Sequence, residues 1–75
     1  LYDENSYRKL IIKTDQPGIQ FYSGNFLKEK FNKYQGLCLE TQNFPNSPNI
    51  EIFPSPILRK NKDYYSKTSY HFSTI

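Results

Sequence analysis

Apolar and polar positions alternate with a period of two in several stretches of this chain, and clusters of Pro, Gly, Asn and Asp separate them. Arg8 to Lys13 carries Leu10, Ile11 and Ile12 in a charged frame and predicts a strand. Asp15-Gln16-Pro17-Gly18 is a turn signal, because Pro presets one backbone dihedral and Gly accepts a positive φ. Ile19 to Ser23 predicts the next strand, with Ile19, Phe21 and Ser23 on one face and Gln20 and Tyr22 on the other. Gly24-Asn25 ends it. The charged, aromatic-studded connection from Leu27 to Gln35 reads as either one helical turn or a simple loop.

Gly36 to Gln42 predicts a third strand, setting Leu37, Leu39 and Thr41 against Cys38, Glu40 and Gln42. Asn43 to Pro56 holds four of the five prolines, so it reads as a proline-ordered loop. Extended structure resumes at Pro56 to Leu58, and Arg59 to Asp63 is a polar turn. Tyr64 to Ser73 predicts the last strand, with Thr68, Tyr70 and Phe72 alternating against Lys67, Ser69 and His71. Leu1 to Ser6 reads as a polar, irregular loop. No repeat, heptad or amphipathic helix interrupts this pattern, and the fold class is all-β.

Size changes the picture. At 75 residues with 36% hydrophobic composition, the chain buries only a modest fraction of its surface. Chains this short lean on metals, disulfides or ideal packing. One cysteine forbids an internal disulfide, and one Cys with one His cannot build a zinc cluster. The chain also opens at Leu1 without an initiator Met. The expectation is therefore a set of strands from a larger sheet, incomplete as an isolated chain. The lone cysteine fits a reducing compartment, and a cytoplasmic location is expected. No run approaches the ~18 apolar residues that span a bilayer, so no membrane partner is expected.

A net charge of +3 with 17% aromatic residues invites a nucleic-acid reading. The lysines are scattered, however, and their local groups at Lys28-Glu29-Lys30 and Arg59-Lys60-Asn61-Lys62 sit in turn contexts where charge is solvated. No nucleic-acid partner is expected.

The chemistry concentrates in Gly36-Leu37-Cys38-Leu39-Glu40-Thr41-Gln42-Asn43-Phe44-Pro45. An apolar strand that delivers one carboxylate, Glu40, carries a group that is costly to bury unless it is paired or used. An exposed strand residue or a salt-bridge member is the plainer reading of Glu40. Gln20 alone is a surface amide. Gln42 and Asn43 suit hydrogen bonds to backbone in the proline loop. Tyr22 suits core packing better than stacking on a ligand. His71, the only histidine, sits among Ser and Thr and reads as a surface or structural residue. Cys38 shares a face with Glu40 and reads as a packed small residue.

Three blocks, in order, carry a resemblance. They are Thr14-Asp15-Gln16-Pro17-Gly18-Ile19-Gln20-Phe21-Tyr22-Ser23-Gly24-Asn25-Phe26-Leu27; the Glu40 string just given; and Phe53-Pro54-Ser55-Pro56-Ile57-Leu58-Arg59 followed by Tyr64 or Tyr65 and Tyr70-His71-Phe72-Ser73. From about Lys9 onward the chain resembles the C-terminal end of the aldose 1-epimerases, or galactose mutarotases.

The resemblance implies that residues 1–75 are the C-terminal part of a single β-supersandwich domain with a sugar cleft. It implies interconversion of the α and β anomers of free aldoses such as galactose and glucose, without metal or cofactor. It makes Glu40 the catalytic base and Gln20 a substrate-binding residue. The acid is an upstream histidine outside this chain, so the fragment alone is expected to be inactive. The partners implied are the monosaccharide and the rest of the same domain. The chain departs from the family in a shorter connection between the first two blocks, and in Lys60-Asn61-Lys62-Asp63 where a Pro-Gly turn is usual. Two other readings share these residues: a non-catalytic carbohydrate-binding domain of the same fold, and a mutarotase domain fused behind a nucleotide-sugar epimerase.

Overall fold

Backbone pairing follows the alternation closely. A computed structural model describes all 75 residues, 1–75. It contains strands β1 (Arg8–Thr14), β2 (Gly18–Tyr22), β3 (Cys38–Gln42) and β4 (Thr68–Thr74), with one turn of 3-10 helix at Ser47–Asn49 between β3 and β4. The chain is all-β. β1 pairs with β4 and β2 with β3, giving two antiparallel sheets of two strands each.

In the first sheet Leu10 faces Phe72 and Ile12 faces Tyr70, while Lys9, Ile11 and Lys13 face Ser73, His71 and Ser69. Side chains alternate across a strand, so one face is apolar and the other mostly polar. In the second sheet Ile19 faces Thr41 and Phe21 faces Leu39, while Gly18, Gln20 and Tyr22 face Gln42, Glu40 and Cys38. It too has an apolar face and a polar one.

The apolar faces meet at a corner of three hydroxyls. Thr14 Oγ1 lies 2.9 Å from Thr68 Oγ1, which lies 3.2 Å from Thr41 Oγ1. Beyond this corner the apolar faces are open. No hydrophobic residue is buried, and Tyr70, Phe72, Ile19 and Phe21 are 53%, 81%, 50% and 57% exposed. The radius of gyration is 16.2 Å, against about 11 Å for a compact domain of this length. Strands whose apolar faces have nothing to pack on are parts of a larger sheet assembly.

Several elements depart from the sequence expectation for physical reasons. β3 begins at Cys38 rather than Gly36. Gly36 is spent closing the preceding loop: Gly24, at φ +79°, brings its backbone against the Gly36 carbonyl so closely that a Cβ could not fit. The Gly24 carbonyl accepts the Leu27 and Tyr34 amides at 3.2 and 2.9 Å. Residues 27–35 form a run of turns with no helix, Glu29 and Tyr34 taking positive φ.

β4 begins at Thr68 rather than Tyr64. Side chains of the β1–β2 turn hold residues 64–67, together with one backbone bond from the Asp15 amide to the Lys67 carbonyl at 3.2 Å. Gln16 Nε2 donates to Tyr64 Oη and Ser66 Oγ at 2.7 and 2.8 Å, and the Asp15 carboxylate accepts the Lys67 amide at 3.0 Å. Pro56 to Leu58 joins no sheet; Pro54 and Pro56 lack the N–H that a ladder needs.

Leu1 to Ser6, expected to be irregular, folds back on β1. Leu1 and Leu10 exchange N–H···O bonds at 3.0 and 2.8 Å, and Tyr2 bridges Lys9. Asp3 caps the reversal by accepting the Ser6 and Asn5 amides at 3.0 and 3.3 Å. The Ser6 hydroxyl, then the Ser6 and Asn5 amides, hold the Asp3 carboxyl below its ordinary value of 3.8.

Candidate functional site

The polar face of the β2–β3 ribbon gathers the chain's chemistry. Gln20 and Glu40 are direct cross-strand partners. Partners of this kind project to the same side with Cβ atoms about 4.5–5.5 Å apart. Both side chains are exposed. Gln20 Nε2 donates to the Phe21 carbonyl at 3.3 Å. Sequence alternation put each residue on a face of its own strand; the register brings the two together.

Aromatic rings stand at both ends of this pair. At one end Phe44 packs over Gly18, where a Cβ would come within 2.9 Å of its ring carbons. Phe44 is braced in turn by Phe53, with ring centroids 5.0 Å apart. Only glycine leaves room for that approach, and a glycine inside a strand signals such closeness. No role was read into Phe44 from sequence; Gly18, three residues before Phe21, was the signal that could have placed it.

At the other end Tyr22 faces Cys38. The two open onto a hollow of about 350 Å³ lined also by Leu27, Phe31 and Leu37. The Tyr22 hydroxyl accepts the Phe26 amide at 3.0 Å, so its ring is anchored to the loop and lines the hollow. Cys38 is exposed there as a free thiol, not packed as expected, because no other segment of residues 1–75 covers it. Gln42 and Asn43 are half-buried beside Phe44 in the sequence.

His71 lies elsewhere. Its Nε2 is 3.1 Å from Ser69 Oγ on the polar face of the β1–β4 sheet. No three His, Cys, Asp or Glu side chains come together in a way that could hold a metal ion. No helix is long and apolar enough to cross a membrane.

These features define a class: strands of a larger all-β protein that present a carboxylate and an amide side by side between aromatic walls. Comparison with known proteins makes the class specific. The sequence model of the family described as aldose 1-epimerase matches residues 1–71. Galactose mutarotase of Mus musculus is 47% identical over 76 residues, which cover 91% of this chain and 22% of that protein. The human galactose mutarotase is 45% identical over the same length and shares. The aldose 1-epimerase of Escherichia coli strain K12 is 41% identical over 73 residues, covering 85% of this chain and 21% of that protein. No solved structure gives a significant match. The chain belongs to the aldose 1-epimerase family. It spans about a fifth of the length of the curated relatives it matches.

Proposed function

We propose that residues 1–75 are the C-terminal part of a single aldose 1-epimerase domain, and that they supply its general base, Glu40, and a sugar-binding amide, Gln20. The whole protein interconverts the α and β anomers of free aldoses, galactose and glucose among them. The observation that carries this reading is the pairing of Gln20 with Glu40 on one open ribbon face. It is supported by identity to galactose mutarotases across most of the chain.

Mutarotation needs two proton transfers on one sugar. Glu40 takes the proton from the C1 hydroxyl as the bond between C1 and the ring oxygen breaks. That oxygen keeps the bonding electrons and is protonated by an acid, a histidine from the part of the domain preceding Leu1. The open-chain aldehyde turns about the C1–C2 bond. Closure on the opposite face returns both protons. Each positioned group contributes ~10²–10⁴-fold. The chemistry calls for no metal or cofactor, and a cytoplasmic location suits both free aldoses and an exposed thiol.

Gln20, opposite the base, holds a sugar hydroxyl so that C1 stays within reach of Glu40. The flanking rings of Phe44 and Tyr22 offer apolar surfaces to the C–H faces of the sugar. The test uses the full-length protein with Glu40 replaced by Gln. Galactose binding, followed by saturation-transfer NMR, persists while anomer exchange is lost. A wild-type protein that binds galactose without exchanging its anomers would instead make this a carbohydrate-binding domain.

A further inference from the structure

The hydroxyl corner that joins the two sheets sits one residue from the proposed base. Thr41 follows Glu40 in β3 and points to the opposite, apolar face of the ribbon. Its Oγ1 lies 3.2 Å from Thr68 Oγ1 at the start of β4, and Thr68 Oγ1 lies 2.9 Å from Thr14 Oγ1 at the end of β1. Thr14 Oγ1 also accepts the Gln16 amide at 3.1 Å. A hydroxyl donates once and accepts twice, so a chain running from the Gln16 amide through Thr14 and Thr68 to Thr41 leaves no donor in conflict.

Within residues 1–75 this joint adds to the turn between β1 and β2 as a link between the sheets, since β2 and β3 pair only with each other there. The Thr41–Thr68 bond is the one side-chain hydrogen bond between a residue of the β2–β3 ribbon and one of the β1–β4 sheet. A two-stranded ribbon is marginal alone and more strongly twisted than a wide sheet. Rotating β3 about its own axis swings residues 40 and 41 together, since adjacent side chains project to opposite faces of one backbone. Holding the hydroxyl of Thr41 therefore holds the direction in which Glu40 points.

We infer that Thr68 is a positioning residue for the reaction: through its hydroxyl bond to Thr41 it fixes the orientation of the Glu40 carboxylate toward the C1 hydroxyl of the aldose. This rests on the proposed role of Glu40 as base. Thr68 itself faces away from the sugar and touches no reacting atom. A base misplaced by about 1 Å can cost ~10²-fold in rate, whereas substrate held by other groups still binds.

The test is steady-state anomer exchange of galactose by the full-length protein carrying Thr68→Val, Thr68→Ser, Thr41→Val, the Thr41→Val/Thr68→Val pair, or Glu40→Gln. Thr68→Val is expected to lower kcat by at least about tenfold with KM within about twofold. Thr68→Ser, which keeps the hydroxyl, restores kcat to within about threefold, and the double variant loses no more than either single one. The positioning role is overturned if Thr68→Val retains kcat within twofold, if Thr68→Ser is as impaired as Thr68→Val, or if the two Val losses multiply. Near-normal exchange by Glu40→Gln overturns the base assignment and this inference together. A dead Glu40→Gln enzyme beside an unimpaired Thr68→Val enzyme overturns the inference alone.

Discussion

Gln20 and Glu40 occupy opposed positions in the β2–β3 register, so an amide and a carboxylate share one face of a ribbon whose other face is apolar. The arrangement assigns different tasks to neighbours one residue apart. Ile19, Phe21 and Leu39 share the apolar face, and Gln20 and Glu40 project together from the other. Substituting Gln20 by Ala in the full-length protein is expected to raise KM for galactose by roughly 3- to 10-fold, the worth of one hydrogen bond, and to lower kcat less. Steady-state anomer-exchange kinetics check this; an unchanged KM would remove Gln20 from the sugar site.

The loop between β2 and β3 depends on a close backbone approach. Gly24 has φ +79°, and its carbonyl collects two amides of that loop. A methyl at Gly24 would overlap the Gly36 carbonyl and would sit in a conformation that L residues disfavour. Gly24→Ala is expected to destabilise the full-length protein by about 2 kcal/mol or more, lowering Tm by several degrees. Thermal unfolding followed by circular dichroism measures it, and a Tm within one degree of wild type would contradict the closure described.

Without a hydrophobic core, the 75-residue chain taken alone has little to drive a cooperative transition. It is expected to melt gradually in circular dichroism, to bind a hydrophobic dye, and to show no anomerase activity. A sharp thermal transition of the isolated chain would mean that its apolar faces find partners within residues 1–75.

The Asp3 reversal carries a pH signature. Hydrogen bonds from Ser6 and Asn5 favour the ionised carboxylate and depress its folded pKa below 3.8. A depressed folded pKa contributes stability that is fully present above the unfolded value, near ~3.9, and is lost as pH falls through the folded value. Carboxyl NMR titration of the full-length protein should give an Asp3 midpoint below 3.8, and Ser6→Ala should move it back upward. A midpoint at or above 3.8 in the wild type would show that the cap does not hold in solution.

Much of the architecture was legible from local pattern. The apolar centre Leu10 to Ile12 marked the first strand, and alternation around Ile19 to Phe21 and around Leu39 to Thr41 assigned the next two and their faces, because period-two alternation is what a sheet with one apolar side demands. Long-range features were not legible. Tyr64 to Lys67 reads as the start of the last strand, yet it is held by the side chains of Asp15 and Gln16 and by the Asp15 amide, about fifty residues earlier. Leu1 to Ser6 looks irregular because its order comes from pairing with β1 and from one Asx-type cap.

The candidate site divides the same way. Glu40 and Gln20 could each be singled out from the motifs around them. Their pairing could not, because the connection between β2 and β3 fixes no hairpin register by its sequence. Phe44 over Gly18 and the Thr14–Thr68–Thr41 corner likewise exist only once separate segments meet.

The most direct measurement is the rate of α-to-β exchange of galactose by the full-length protein with Glu40 changed to Gln, followed by exchange NMR at equilibrium. Loss of the carboxylate should slow exchange by at least ~10²-fold while the sugar still binds. Exchange at the wild-type rate would mean that the carboxylate on β3 takes no proton from the sugar.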